Sequence, residues 1–192
     1  LKNFKISSVN QKLELLKALK VDFIITKKFD KNFSKIKSIK FIKEILYKKL
    51  KCKFIFVSNN FRFGNKREGD VKLLTQNEKK YNYKVIKPKP LLKSKKIVSS
   101  TIIRNLLEKG DLNRANKFLG REWTINGIVQ KGRQVGKKIG FPTCNIDIKD
   151  YVLAQPGVYA VRVLRNKNQK KLRGIANLGY RPTFNQKKIL LE

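Results

Sequence analysis

The sequence predicts an α/β domain over residues 1–120 followed by an all-β domain over residues 121–192. Three observations carry this. Up to residue 120, short β-branched and aromatic runs alternate with segments of helical apolar spacing, as in a sheet covered by helices. Beyond Trp123 no helix-period segment appears, and short strands separated by turns predict an antiparallel barrel. Residues 120–123, GREW, mark the change from one pattern to the other.

Each element has its own warrant. Residues 13–19 (LELLKAL) show helical spacing, and residues 22–29 (DFIITKKF) form a β-branched and aromatic run that predicts a strand. An amphipathic helix is expected over 39–50, then a buried strand over 53–58 (KFIFVS). A helix over 69–81 and a strand over 83–86 continue the alternation, which predicts a parallel sheet. Residues 87–90 (KPKP) break regular structure, because proline lacks a backbone donor and restricts the residue before it. Ser99, Ser100 and Thr101 precede an apolar-periodic run over 102–107, a helix N-cap signature. Gly110 and Asp111 mark a stop and restart before a helix over 112–119. Strands are then expected at 123–131, 146–148, 158–164 and 172–177.

Composition narrows the function classes. Hydrophobic residues make up 41% of the 192 residues, enough for a packed core and against disorder. No apolar run is long enough to span a bilayer, so a membrane partner is not expected. Cys52 and Cys144 are too far apart in sequence for a CxxC metal pair and read as free thiols of a reducing, cytoplasmic compartment. The net charge of +34 attracts anionic ligands. Its lysines are spread along every segment in company with abundant Asn, Ile and Phe, which favours a compositional origin over dedicated RNA binding.

The stretch GIVQKGRQVGKKIGFPTCNID carries the densest chemistry. Thr143 and Asn145 lie two apart after Pro142, and an extended run turns both side chains to one side. Upstream, Gly127, Gly132, Gly136 and Gly140 interleave with Lys131, Arg133, Lys137 and Lys138. Glycines allow backbone amides to approach an anion and the cations offset its charge. Hard oxygen ligands beside such a loop suit a magnesium nucleotide. A Thr/Asn turn closing a strand is the competing reading of the two residues alone.

Residues 123–147 resemble the start of the riboflavin kinase module of bacterial bifunctional riboflavin kinase/FMN adenylyltransferases, the FAD synthetases. GVYAVRV (157–163) and RGIANLGYRPTF (173–184) resemble later strands of that module. NNFRFGNKREGD (59–70) and VSSTIIRNLLEKGDLNRANKFLGR (98–121) resemble the second half of the adenylyltransferase domain. The resemblance implies part of a Rossmann-like nucleotidyltransferase domain followed by an incomplete β-barrel kinase domain. It implies the substrates riboflavin, FMN and ATP, with Mg²⁺ held by Thr143 and Asn145. Gly132, Lys138 and Gly140 would lie with them along the ATP phosphates. The general base of the kinase step would be Glu192. Ser99, Ser100, Thr101 and Arg104 would hold the ATP phosphates of the adenylyl step, near a nucleotide that Asn60 approaches. Asn177, Arg181 and Thr183 fall where the family shapes its clefts, or in a plain turn.

The chain departs from the family pattern in having no histidine and no methionine and in stopping at Glu192. A fragment lacking both ends is therefore expected, incomplete for both steps and, without the family's histidine pair, inactive in adenylyl transfer. The rival readings are a monofunctional riboflavin kinase with a degenerate N-terminal domain and a basic RNA-binding protein.

Overall fold

A computed structural model describes residues 4–130, 140, 143–165, 170–183 and 186–192. The chain packs as two compact units, residues 25–97 on the one hand and residues 1–24 with 98–192 on the other. The first helix in chain order, α1 (Val9–Ala18), belongs to the second of these.

The unit of residues 25–97 contains α2 (Lys31–Ser34), α3 (Ser38–Lys40) and a π-helix over Phe41–Lys49. Then come β1 (Phe54–Phe56), β2 (Arg62–Phe63), β3 (Gly69–Asp70), α4 (Val71–Gln76), α5 (Glu78–Tyr81) and β4 (Lys84–Ile86). A last hairpin pairs β5 (Leu92–Lys93) with β6 (Lys96–Ile97). Helix starts follow local capping: Asp30 Oδ1 accepts the Phe33 amide and Asp70 Oδ1 the Leu73 amide, each at 2.8 Å. β1 and β4 pair in parallel, as the alternation predicts, in a sheet of two strands. Ile42, Phe63, Leu74, Tyr81 and Tyr83 form the core.

Three expectations for this unit are corrected. Residues 22–29 carry no regular structure: Phe23 is 88% exposed, and no described strand offers the segment a ladder. Residues 53–58 are not a buried strand, since Phe54 and Phe56 face solvent while Ile55 is half-buried. The helix expected over 39–50 is mostly a π-helix, in which the Leu50 amide reaches the Ile45 carbonyl five residues back at 2.9 Å. Over nine residues the apolar spacing of α- and π-helices is too similar for a pattern to separate them.

Tyr83 donates its hydroxyl to the Leu74 carbonyl at 2.7 Å in this core, and burial pushes its pKa from 10.0 up to about 12. The folded state disfavours the phenolate, so this contribution to stability is full below pH 10.0 and is lost as pH rises towards 12. Tyr83→Phe is expected to cost about 1 kcal/mol at neutral pH, the worth of one hydrogen bond. It should also flatten the alkaline fall in stability, which chemical denaturation at several pH values reads directly.

In the other unit, α6 (Ser100–Glu108) and α7 (Leu112–Leu119) form a helical pair capped by Ser99 and Asp111. Ile103, Leu106, Leu107, Ala115, Phe118 and Val152 pack between them and the later chain. The sheet comprises β7 (Val129–Gln130), β8 (Asn145–Asp147), β9 (Gly157–Val163), β10 (Leu172–Thr183) and β11 (Gln186–Leu191). Their order is β7-β8-β11-β10-β9, every pairing is antiparallel, and the sheet is open. Ile148, Tyr151, Ala154 and Leu178 form a second core against one of its faces.

β11 (QKKILL) lies beyond the strands expected from the sequence, and β10 runs six residues past the expected end at 177. Pairing with β8 and β10 overrides the weak propensity of both stretches. Conversely, the strand expected at 123–131 shrinks to β7, because residues 123–126 face the N-terminal segment instead of a strand. There the buried Gln11 donates from Nε2 to Thr124 O (2.9 Å), Thr124 Oγ1 (3.0 Å) and Asn126 Oδ1 (3.2 Å), while Tyr151 Oη donates to Gln11 Oε1. Trp123 Nε1 donates to Ile6 O at 2.8 Å. Every polar atom of this glutamine is matched, which is why it is tolerated in the interior.

Candidate active site

The sheet register builds one site from residues distant in sequence. On β8, Asn145 is paired with Gln130 of β7. On its other side Leu190 faces Asp147 and Leu191 faces Ile146, so the same register carried one residue further sets Glu192 opposite Asn145. Glu192 and Asn177 exchange both backbone hydrogen bonds, at 2.8 and 3.0 Å, and Asn177 is paired with Val158 on β9. Gln130, Asn145, Glu192 and Asn177 thus form a polar row across four strands. Directly opposite residues share a face, with Cβ atoms about 4.5–5.5 Å apart.

The neighbouring row has the opposite character. Ile146, Leu191 and Leu178 turn to the apolar cluster around Ile148 and Tyr151, so alternation along each strand directs the polar row to the other face. Val158 and Ile175, 71% and 79% exposed, lie on that same face and give the polar row an apolar flank.

Within the row, Asn145 is buried, and its Oδ1 has no hydrogen-bond partner among the described residues. A buried carboxamide oxygen without a donor is costly unless a ligand or ion satisfies it. A hard cation fits that atom. Thr143, two residues earlier, is exposed and lies just before the strand. Two glycines serve the approach: Gly140 adopts φ +84°, and at Gly127 a Cβ would meet Ile146 Cγ2 at 2.3 Å, so the chain beside β8 requires glycine there. Gly132 and Lys138 lie outside the described residues.

A second group sits on α6. Ser99 Oγ accepts the Ile102 amide at 3.3 Å, leaving Ser100 and Thr101 exposed on the first turn, where helical amides lack intrahelical partners. Arg104, one turn on, anchors its Nε on the Phe4 carbonyl at 2.8 Å. The helix N-terminus and the cation favour an anion. Asn60 belongs to the other unit, in the loop after β1, where its Oδ1 accepts the Ser58 hydroxyl at 2.9 Å. Of the neighbouring cations Arg62 is engaged, at 3.7 Å from Asp70. Phe61 and Phe63 stack on one another at 5.6 Å.

The structure therefore brings together Asn145 and Glu192, and separately Ser99, Ser100, Thr101 and Arg104. Gln130 was not singled out by sequence, and Asn177 only as a residue of a cleft-shaping stretch or a plain turn. What places both in one row with Asn145 and Glu192 is strand register, which needs the partner strands and their offset.

The FAD synthetase family model matches residues 1–102, and the riboflavin kinase model matches residues 119–192. The chain belongs to the FAD synthetase family. This FAD synthetase relative is 40% identical over 191 residues to the bifunctional riboflavin kinase/FMN adenylyltransferase of Buchnera aphidicola subsp. Schizaphis graminum, covering 98% of this chain and 61% of that one. It is 36% identical to the Escherichia coli K12 protein of the same name, covering 93% of this chain and 57% of that one. The chain thus spans about six-tenths of the length of the curated relatives it matches. Among solved structures it is similar to the crystal structure of a macrolide-efflux protein from Streptococcus pneumoniae, with a TM-score of 0.79 and 25% identity over 97% of this chain and 59% of that one. No helix among the described residues of this FAD synthetase-family chain is long and apolar enough to cross a membrane.

Proposed function

We propose that this chain carries parts of two catalytic modules, one transferring the γ-phosphoryl group of ATP to riboflavin and one transferring the adenylyl group of ATP to FMN. The observation that carries the kinase reading is the place of Glu192 opposite Asn145 by continued register, with the buried Asn145 oxygen lacking a hydrogen-bond partner among the described residues. The family matches to residues 1–102 and 119–192 support a module boundary at 120/121. They also favour a Rossmann-like first module, of which the parallel β1–β4 pair is a part, and a second that closes as a barrel in the whole protein.

In the kinase step, Thr143 and Asn145 would hold Mg²⁺, and the resemblance would have Gly132, Lys138 and Gly140 serve the ATP phosphates. The ion offsets charge on the phosphates when bound, and two protein oxygens suffice because phosphate and water complete its shell. The exposed apolar flank at Val158 and Ile175 suits the planar ring system of riboflavin. Glu192 accepts the proton of the primary alcohol as its oxygen bonds the γ-phosphorus. The bond from that phosphorus to the β,γ-bridging oxygen breaks, and ADP leaves.

In the adenylyl step, an FMN phosphate oxygen attacks the α-phosphorus of ATP and pyrophosphate leaves. Ser99, Ser100, Thr101 and Arg104 hold the phosphates by helix amides and charge. The setting we propose is cytoplasmic, with small-molecule partners and no membrane or nucleic-acid partner. The test is product analysis of the natural full-length protein: with Mg²⁺ and ATP it should convert riboflavin to FMN and then to FAD. Steep salt-dependent RNA affinity without ATP-dependent flavin turnover would overturn the proposal.

A further inference from the structure

Asn177 shares the polar face with Glu192, yet the phosphoryl-transfer reading gives it no task. It is Glu192's direct cross-strand neighbour, joined to it by both backbone hydrogen bonds, at 2.8 and 3.0 Å. Such a reciprocal pair fixes the separation of the two residues and holds both side chains on one face. Asn145 flanks Glu192 from the opposite strand by continued register, so the carboxylate stands between two carboxamides. The Asn177 side chain is exposed, and its amide lies on the strand directly beside the carboxylate, within one strand spacing of it. Its other neighbour in the row is the apolar Val158, which offers that amide nothing.

We infer that Asn177 is a positioning residue for Glu192: its side-chain amide donates to one carboxylate oxygen and turns the other toward the alcohol that is phosphorylated. A glutamate side chain has three rotatable bonds, and a donor on one oxygen removes orientations that miss the substrate proton. The inference rests on the reading of Glu192 as the general base.

The test is a double-mutant cycle in the natural full-length protein, assayed for FMN formed from riboflavin and ATP. Asn177→Ala should lower kcat by about tenfold to 10²-fold, the cost of a slightly misplaced catalytic group, while the KM values for riboflavin and ATP stay unchanged. Asn177→Asp, of the same shape without the donor, should lose at least as much. Asn177→Gln, which restores an amide, should recover part of the rate. Combined with Glu192→Gln, Asn177→Ala should add nothing further, because the group it orients is gone. FMN adenylylation should be unaffected throughout, and thermal unfolding matching that of the natural protein reports that the variants fold. If Glu192→Gln is slow while Asn177→Ala keeps its kcat, or if Asn177→Ala costs the same factor in both backgrounds, the positioning role is overturned and the base assignment stands. If Glu192→Gln itself is as fast as the natural protein, the base assignment falls and this inference falls with it.

Discussion

Glu192→Gln is expected to lower the turnover of riboflavin phosphorylation by roughly 10²–10⁴-fold, the usual worth of general-base catalysis. Glutamine has the size of glutamate and the same backbone, so the paired hydrogen bonds to Asn177 and the place opposite Asn145 are kept. What is lost is the ability to accept a proton as the alcohol oxygen bonds phosphorus. The KM values should therefore change little while kcat falls, the pattern of a group that acts in the transition state. Steady-state kinetics on the natural full-length protein and this variant measure both constants. An unchanged kcat would remove Glu192 from the reaction.

The largest effect on stability is expected at Leu107. Its side chain is 0% exposed, and it packs in the cluster of Ile103, Leu106, Ala115, Phe118 and Val152. Its carbonyl also accepts the Gly110 amide at 2.9 Å and the Gln155 amide at 3.3 Å, so the end of α6 is tied to the loop that leads into β9. With backbone on several sides the surroundings have little freedom to collapse into a void. Leu107→Ala should cost about 2–5 kcal/mol, from lost transfer energy plus the cavity left behind. For a chain of this size that lowers Tm by roughly 4–20 °C, at about 2–4 °C per kcal/mol. Thermal and denaturant unfolding check it, and a loss under about 1 kcal/mol would show that the site relaxes or is less packed than described.

Local chemistry was the legible part of this fold. The Ser99 cap, α6, the Asp111 restart, α7 and β4 follow from caps and apolar spacing, and the structure has them close to the expected places. Features set by partners distant in sequence were not legible. Residues 22–29 have strand composition and no ladder among the described strands, whereas β11, not among the expected strands, has two partner strands. Gln11 lies outside the helix expected over 13–19, and only the donors and acceptors of Thr124, Asn126 and Tyr151 explain its burial. The candidate site shows the same division. Asn145 and Glu192 come from the resemblance of short motifs, but their adjacency comes from the offset between β8 and β11. Asn177 and Gln130 join them only through that register, and a shift of one residue would send all four to the opposite face.

The central claim is that the Asn145 carboxamide and the Glu192 carboxylate face one metal-bound nucleotide from adjacent strands. A crystal structure of the natural full-length protein with Mg²⁺ and a non-hydrolysable ATP analogue tests it most directly. The account predicts Asn145 Oδ1 on the ion at about 2.0–2.1 Å, the distance magnesium demands, with the terminal phosphate on the face that carries Glu192. Finding the ion and the phosphates elsewhere, with Asn145 Oδ1 hydrogen-bonded to the protein's own chain, would contradict it.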